Sequence, residues 1–329
     1  MRKILVIQTA FIGDVILATA VLEQLHQLVP EASIDVLVRQ GNESLFHEHP
    51  FLHRVLVWNK KQRKYAHLFS LLTTIRSQKY DMVVNLQRYT ASAALTAFSG
   101  AKQRVGFDSN PLSAFYSVRK SHRLGRSGDA HWQHEVNRCL SLIDFLDTSH
   151  DARPKLYPTA ADVSRIQSYV SSEFITISPA SVWFTKQTPL KVWKSLIEQY
   201  AGKVVYLLGG ASDVEMCEQL ALGNDHVKVL AGNLSLLESA ALMQRAKMNF
   251  TNDSAPLHLC SAMNAPVTAV FCSTIPEFGF GPLSENSTIV QSAEKPACKP
   301  CGIHGLAQCP KGHFKCGDID MNRLIARLK

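Results

Sequence analysis

Residues 4–38 read ILVIQTAFIGDVILATAVLEQLHQLVPEASIDVLV, and this stretch decides the fold class. Ile4–Ile7 is a short apolar run of the kind that forms a strand buried on both faces. Val15, Ala18, Leu22, Leu25 and Val29 then recur at spacings of three and four, which gives a helix one apolar face. Val29-Pro30 ends that helix, because proline disfavours helical backbone in the residue before it. Ile34–Val38 is a second buried strand. Two buried strands joined through a helix make a parallel crossover.

The same rhythm runs outward along the chain. Val55–Val57, Met82–Asn85 and Gln103–Gly106 read as strands, and His134–Phe145 as a helix. Asp147 to Pro158 holds Thr148, Ser149, Pro154 and Pro158 among polar residues and reads as a linker. Strands then recur at Phe174–Ser178, Val204–Leu208, Val227–Leu230, Met248–Thr251 and Val267–Phe271. Helices at Leu190–Tyr200, Val214–Ala221, Ser235–Gln244 and Pro256–Met263 separate them, and Asp320–Leu328 is a last amphipathic helix. The expected class is α/β, with two Rossmann-like doubly wound domains. The expected divisions are 1–155, 156–317, and a terminal helix at 318–329.

The chain has 329 residues, enough for two cores of ordinary size. Apolar residues make up 46%, a globular composition. No apolar run reaches the ~18 residues that span a bilayer, and Ile4–Ile7 is too short for a secretory signal. A cytoplasmic location is therefore expected. Lys and Arg number 35 against 27 Asp and Glu, a net charge of +8. That favours anionic partners: phosphorylated sugars, nucleotides, nucleic acid or lipid headgroups. The cations concentrate at Lys60, Lys61, Arg63 and Lys64, and again from Arg119 to Arg126. A solvated basic face explains such tracts as well as a binding site does.

Open parallel sheets bind ligands beyond the carboxyl ends of their strands. Beyond the first strand lies Thr9-Ala10-Phe11-Ile12-Gly13-Asp14. Asp14 suits a helix N-cap, and equally a general base that takes a proton from an acceptor hydroxyl. No G-x-G-x-x-G and no P-loop is present. After Phe174–Ser178, Ser181 and Lys186 stand in a hydroxyl-rich loop that could cradle phosphate. After Val204–Leu208, Gly209-Gly210 precedes Asp213 and Glu215, either of which could hold a ribose or serve the turn. After Met248–Thr251 comes Asn252-Asp253-Ser254-Ala255-Pro256-Leu257-His258. Asp253 or Ser254 could cap the helix, leaving backbone amides at its start for an anion. His258 reads either as a satisfied core histidine or as part of that site.

Together these segments resemble the lipopolysaccharide heptosyltransferase family of inverting glycosyltransferases, from Gly13-Asp14 through Ser181…Lys186…Pro189 and Gly209-Gly210 to Asp253-Ser254-Ala255…His258. The resemblance implies a GT-B fold, two domains facing across a cleft, with the terminal helix packed back on the first. It makes Asp14 the catalytic base. It places Ser181 and Lys186 on the donor diphosphate, Asp213 or Glu215 on the ribose and Leu234 near the adenine. Asp253 would bind sugar hydroxyls, with Ser254, Ala255 and His258 completing the sugar and phosphate site. Lys60, Lys61, Arg63 and Lys64 would meet an anionic, lipid-linked saccharide acceptor. Thr188 and Ala255 depart from the family, which often has Trp and Gly there.

The implied reaction moves a heptose from ADP-heptose to a lipopolysaccharide core acceptor, peripherally at the inner face of the cytoplasmic membrane. No acidic pair of metal-binding type is evident, so neither a catalytic metal nor another cofactor is expected, and no nucleic-acid partner. Other readings are transfer of another sugar to a surface glycan, and a non-catalytic protein that binds a nucleotide sugar or nucleic acid. Cys298, Cys301, Cys309 and Cys316 follow the pattern C-x2-C-x7-C-x6-C. Structural zinc, free or redox-active thiols and disulfides all fit that spacing. Similar clusters in the resembled family imply a structural role.

Overall fold

The computed structural model describes residues 2–61, 64–147 and 152–326. The chain divides into two units. The first comprises Met1–Leu124 and Gln133–Tyr157, the second Gly125–Trp132 and Pro158–Lys329. The expected boundary near 155 thus falls two residues early, and a short piece of the first half belongs to the second unit.

The first unit runs β1 (Lys3–Ile7), α1 (Ile12–Leu28), β2 (Ser33–Arg39), β3 (Leu52–Trp58), α2 (Lys64–Gln78), β4 (Met82–Asn85), α3 (Thr90–Ala97), β5 (Gln103–Phe107), β6 (Val118–Lys120) and α4 (Glu135–Leu140). Its strands form one parallel sheet in the order β3-β2-β1-β4-β5-β6. Leu5 and Ile7 of β1 bury one face with Leu71 and Ile75 of α2 and Leu95 of α3. Each such side chain contributes roughly 1.5–3 kcal/mol on leaving water. α1 packs with α4, outside that cluster.

The second unit runs α5 (Ala160–Arg165), β7 (Phe174–Ser178), α6 (Leu190–Gln199), β8 (Val204–Leu207), α7 (Val214–Ala221), β9 (Val227–Val229), α8 (Leu236–Arg245), β10 (Met248–Asn252), α9 (Ala255–Met263), β11 (Val267–Val270), β12 (Ser287–Val290) and α10 (Met321–Ile325). Its sheet is also parallel, in the order β12-β11-β10-β7-β8-β9. Counted from its own first strand, this repeats the order of the first sheet. The order reverses between β1 and β4 in one unit and between β7 and β10 in the other. Loops leaving such a point diverge and open a crevice. The fold class is the expected one, two Rossmann-like doubly wound units.

The described part of the terminal helix belongs to the second unit: Leu324 of α10 is fully buried in that unit's core with Trp193 and Leu196 of α6. Its apolar residues lie on one side and cover α6, the nearest unfilled apolar surface. The segment Gly125–Trp132 joins the second unit through close backbone contact, since a Cβ on Gly125 would lie 2.0 Å from the Glu277 carbonyl oxygen. Only glycine permits that approach.

Candidate functional site

The reversal point of the second sheet gathers the predicted donor residues. The register pairs Thr251 with Ser178, so β10 and β7 end side by side. Asn252, the last residue of β10, ties the loop after β7 at both ends. Its amide donates to the Pro179 carbonyl at 2.7 Å, and its Oδ1 accepts from Thr188 N at 2.9 Å and Thr188 Oγ1 at 2.7 Å. Thr188, one of the two departures from the resembled family, is thus a buried partner of Asn252. Gln187 Nε2 donates to the Ser181 carbonyl at 2.7 Å and closes the loop on itself.

Inside this loop Lys186 points its ammonium at Asp253, with Nζ 2.8 Å from Oδ2. The same oxygen accepts from Thr274 Oγ1 at 2.6 Å. The Lys186 side chain is 15% exposed and that of Asp253 7%, so the pair is largely out of water. The next residue, Ser254, is the N-cap of α9 in extended backbone, and its side chain makes no capping bond. Pro256 lies in the first turn, as expected. His258, one turn further, is buried with its ring 6.4 Å from that of Phe280. A cation, a carboxylate and a helix start without a side-chain cap therefore meet at one sheet end, which suits a diphosphate joined to a sugar.

The remaining residues expected at the donor lie along the same sheet, beyond β8 and β9. Asp213 folds back on its own turn: Oδ2 accepts from Gly210 N at 2.8 Å, and Ser212 Oγ bonds Oδ1 at 3.2 Å. A Cβ on Gly209 would strike Asp213, so that glycine is what lets the carboxylate close. Glu215, in the first turn of α7, is exposed. Gly232 N donates to Gly209 O at 2.9 Å and brings in Leu234, which is half-buried ahead of the Ser235–Glu238 capping box of α8.

The cysteine segment serves this site in a way its spacing does not reveal. Thr185 and Leu306 exchange backbone and side-chain bonds: Thr185 N donates to Leu306 O at 3.1 Å and Leu306 N to Thr185 Oγ1 at 2.8 Å. Ser273 Oγ adds a bond to Thr185 Oγ1 at 2.9 Å, and Cys301 N donates to Ser273 O. Gly305 packs on the Lys186 stem so closely that a Cβ would lie 2.9 Å from Lys186 Cγ. The Phe184 and Phe314 rings pack at a tilt, with centres 5.1 Å apart. The tail between Cys298 and Cys316 therefore presses on the loop that aims Lys186. All four cysteines are free thiols, and among the described residues no group of three or more His, Cys, Asp or Glu is placed to hold a metal. Backbone bonds and packing hold the segment against the loop after β7. Backbone amides around Cys309, led by that of Phe314, hold its thiol below its ordinary pKa.

In the first unit Asp14 is the third residue of α1 and half-buried; Phe11 takes the N-cap position. Asp14 is therefore not the N-cap residue, although its carboxylate lies in the first turn, where the helix dipole favours it. The loop before it is held from several strands. Lys60 Nζ donates to Thr9 O at 2.6 Å and lies 4.7 Å from the Trp58 ring centre. Thr9 Oγ1 donates to Gln87 at 2.6 Å, and Asn42 Nδ2 to Ala10 O at 3.1 Å. Lys60 is therefore part of the loop's framework, whereas Lys61 is exposed. Arg63 and the side chain of Lys64 lie outside the described residues.

Behind Asp14, α4 carries a buried ionic cluster that the sequence reading missed. Glu135 meets His122 Nε2 at 3.0 Å and Arg138 NH2 at 2.6 Å. Burial raises the Glu135 pKa, but His122 and Arg138 outweigh it and the net shift is downward. The sequence places Glu135 and Arg138 on the expected helix His134–Phe145, but nothing in it brings His122 to them.

Comparisons with known proteins agree with this geometry. Residues 68–304 match glycosyltransferase family 9 (heptosyltransferase). Lipopolysaccharide heptosyltransferase 3 of Escherichia coli is 28% identical over 281 residues, covering 80% of this chain and 82% of its own. The structure of E. coli ADP-heptose LPS heptosyltransferase II superposes with a TM-score of 0.77 at 22% identity, over 99% of this chain and 97% of that one. E. coli heptosyltransferase WaaC, solved with ADP, gives 0.71 at 22% identity over 93% and 96%. The chain is a glycosyltransferase and belongs to family 9, the heptosyltransferases.

Proposed function

We propose that this enzyme moves a heptose from ADP-heptose to a lipopolysaccharide core acceptor, with inversion and without a metal, at the inner face of the cytoplasmic membrane. The observation that carries the reading is the Lys186–Asp253 pair beside the start of α9. A lysine held next to a helix N-terminus can receive the charge of a departing diphosphate, and the carboxylate can hold sugar hydroxyls. Ser181, Ser254, Ala255 and His258 complete that pocket. Asp213 is committed to Gly210, so Glu215 is the better partner for the ribose. Leu234 packs near the adenine.

In the reaction Asp14 removes the proton from the acceptor hydroxyl. That oxygen forms a bond to the anomeric carbon on the face opposite the leaving group. The bond to the diphosphate breaks, and ADP leaves with the electron pair stabilised by Lys186 and the α9 amides. Lys60, Lys61, Arg63 and Lys64 attract the anionic acceptor to the first unit.

Asp14→Asn tests the mechanism. It should keep fold and donor affinity and lose transfer by roughly 10²–10⁴-fold. Near-normal turnover by the folded variant removes Asp14 from the chemistry. Failure of ADP-heptose, but not another nucleotide sugar, to stabilise the protein against heat would refute the donor.

A further inference from the structure

Residues 49–107 contain ten Lys and Arg and one acid, Asp81, more positive charge than the whole chain's net +8. This stretch forms α2 and α3, which together cover one face of the first sheet. Asp81 is engaged at the start of β4, with Lys102 Nζ at 2.8 Å and the Arg2 amide at 2.7 Å. It leaves the outer face of the helical layer uncompensated.

That face also carries rings. α2 packs its inner residues, Leu68, Leu71, Leu72 and Ile75, on the sheet. Its opposite side nevertheless presents Tyr65 at 77% exposure and Phe69 at 71%, one turn apart. Phe98, at the end of α3, and Phe115 are 47% and 53% exposed with ring centres 6.0 Å apart. A guanidinium sits on the carbonyl of each: Arg76 NH1 on Phe98 O at 2.9 Å, and Arg104 Nε on Phe115 O at 2.8 Å. Exposed aromatics interleaved with cations, on a face almost without acids, match the boundary of an anionic bilayer, where rings enter the headgroup region and cations meet phosphate.

We propose that the outer face of α2 and α3 docks this enzyme on an anionic phospholipid bilayer, through Phe69 and Phe98 with Arg76 and Lys79. The inference adds a surface to the lipid-linked acceptor reading but does not depend on it, because vesicles without acceptor suffice to test it.

The full chain is floated with vesicles of phosphatidylglycerol and phosphatidylcholine, and with phosphatidylcholine alone. Binding is expected only to the anionic vesicles. Arg76→Gln with Lys79→Gln should weaken it about 25-fold, taking about fivefold per cation at the surface. Phe69→Ser with Phe98→Ser should weaken it at least tenfold even at low salt, where charge alone is strongest. Phe69→Ser alone serves if the double variant fails to fold, and ADP calorimetry confirms that each variant is intact. No binding to anionic vesicles at low salt, or ring variants that bind like the parent, would overturn the proposal. So would a single-stranded RNA that binds more tightly than the vesicles and loses affinity in the same variants, because the face would then serve nucleic acid.

Discussion

Asp253→Asn separates two roles that one ion pair combines. The Lys186 ammonium lies 2.8 Å from Asp253 Oδ2, with the side chains 15% and 7% exposed. Breaking a pair so removed from water leaves the other charge uncompensated and costs about 3 kcal/mol. For a unit of this size that is a drop in Tm of roughly 6–12 °C. At the proposed donor site, Asp253 would compete with phosphate for Lys186. Its neutralisation should leave ADP affinity unchanged or raise it by up to about tenfold, even as the protein becomes less stable. Lys186→Ala should lose comparable stability and weaken ADP by roughly 10–150-fold, the worth of a charge-assisted bond. Thermal denaturation of both single variants and the double completes a cycle, in which contact predicts a coupling of about 1–3 kcal/mol. Calorimetry with ADP reads the affinities. Additive stability losses, or an Asp253→Asn variant that loses ADP as Lys186→Ala does, would refute the competition.

Asn252→Ala removes three bonds that tie the loop after β7; it should destabilise by about 2–4 kcal/mol and weaken ADP, with rapid proteolysis between 179 and 189 as the readout. His49 is surrounded by Phe46, Phe51 and Tyr157, and burial lowers its pKa from 6.5 to about 4. The folded state resists its protonation, so stability is full above pH 6.5 and falls as pH drops toward 4; His49→Phe should flatten that limb by roughly 2 kcal/mol, allowing for partial exposure, and an unchanged profile of Tm against pH would exclude His49 as its source. Arg63→Gln with Lys64→Gln should raise the acceptor KM and flatten its salt dependence while donor KM stays fixed; a donor effect instead would put the tract in the wrong place.

The fold was largely legible because its central strands, such as Ile4–Ile7 and Phe174–Ser178, are buried on both faces and read as continuous apolar runs. β6, Val-Arg-Lys, and β12, Ser-Thr-Ile-Val, sit at sheet edges and are mostly half-buried, so no such run marks them. α3, built of Thr, Ala and Ser around the single Leu95, has too little apolar bulk to show a period. Loop residues with reactive groups stood out, but their partners did not. Lys186 meets Asp253 only because β7 and β10 are neighbours, a fact of strand order. Likewise the cysteine pattern shows which atoms can bind metal or oxidise, but not that Gly305 and Leu306 lie against Lys186 and Thr185.

The interrupted second unit bears on how the chain is made. Gly125–Trp132 leaves the ribosome before most of its own unit, yet its contact, the Glu277 backbone, is synthesised far later. The first unit can close once Tyr157 has emerged, with residues 125–132 left as an unpaired loop awaiting their docking surface. A fragment that starts at Pro158 would carry both ends of every strand in its sheet and still lack one of its own pieces. The two halves are separable in topology but not in inheritance: a gene cut at the apparent linker yields an incomplete second domain, and exchange of halves between related enzymes would have to carry residues 125–132 with the C-terminal partner.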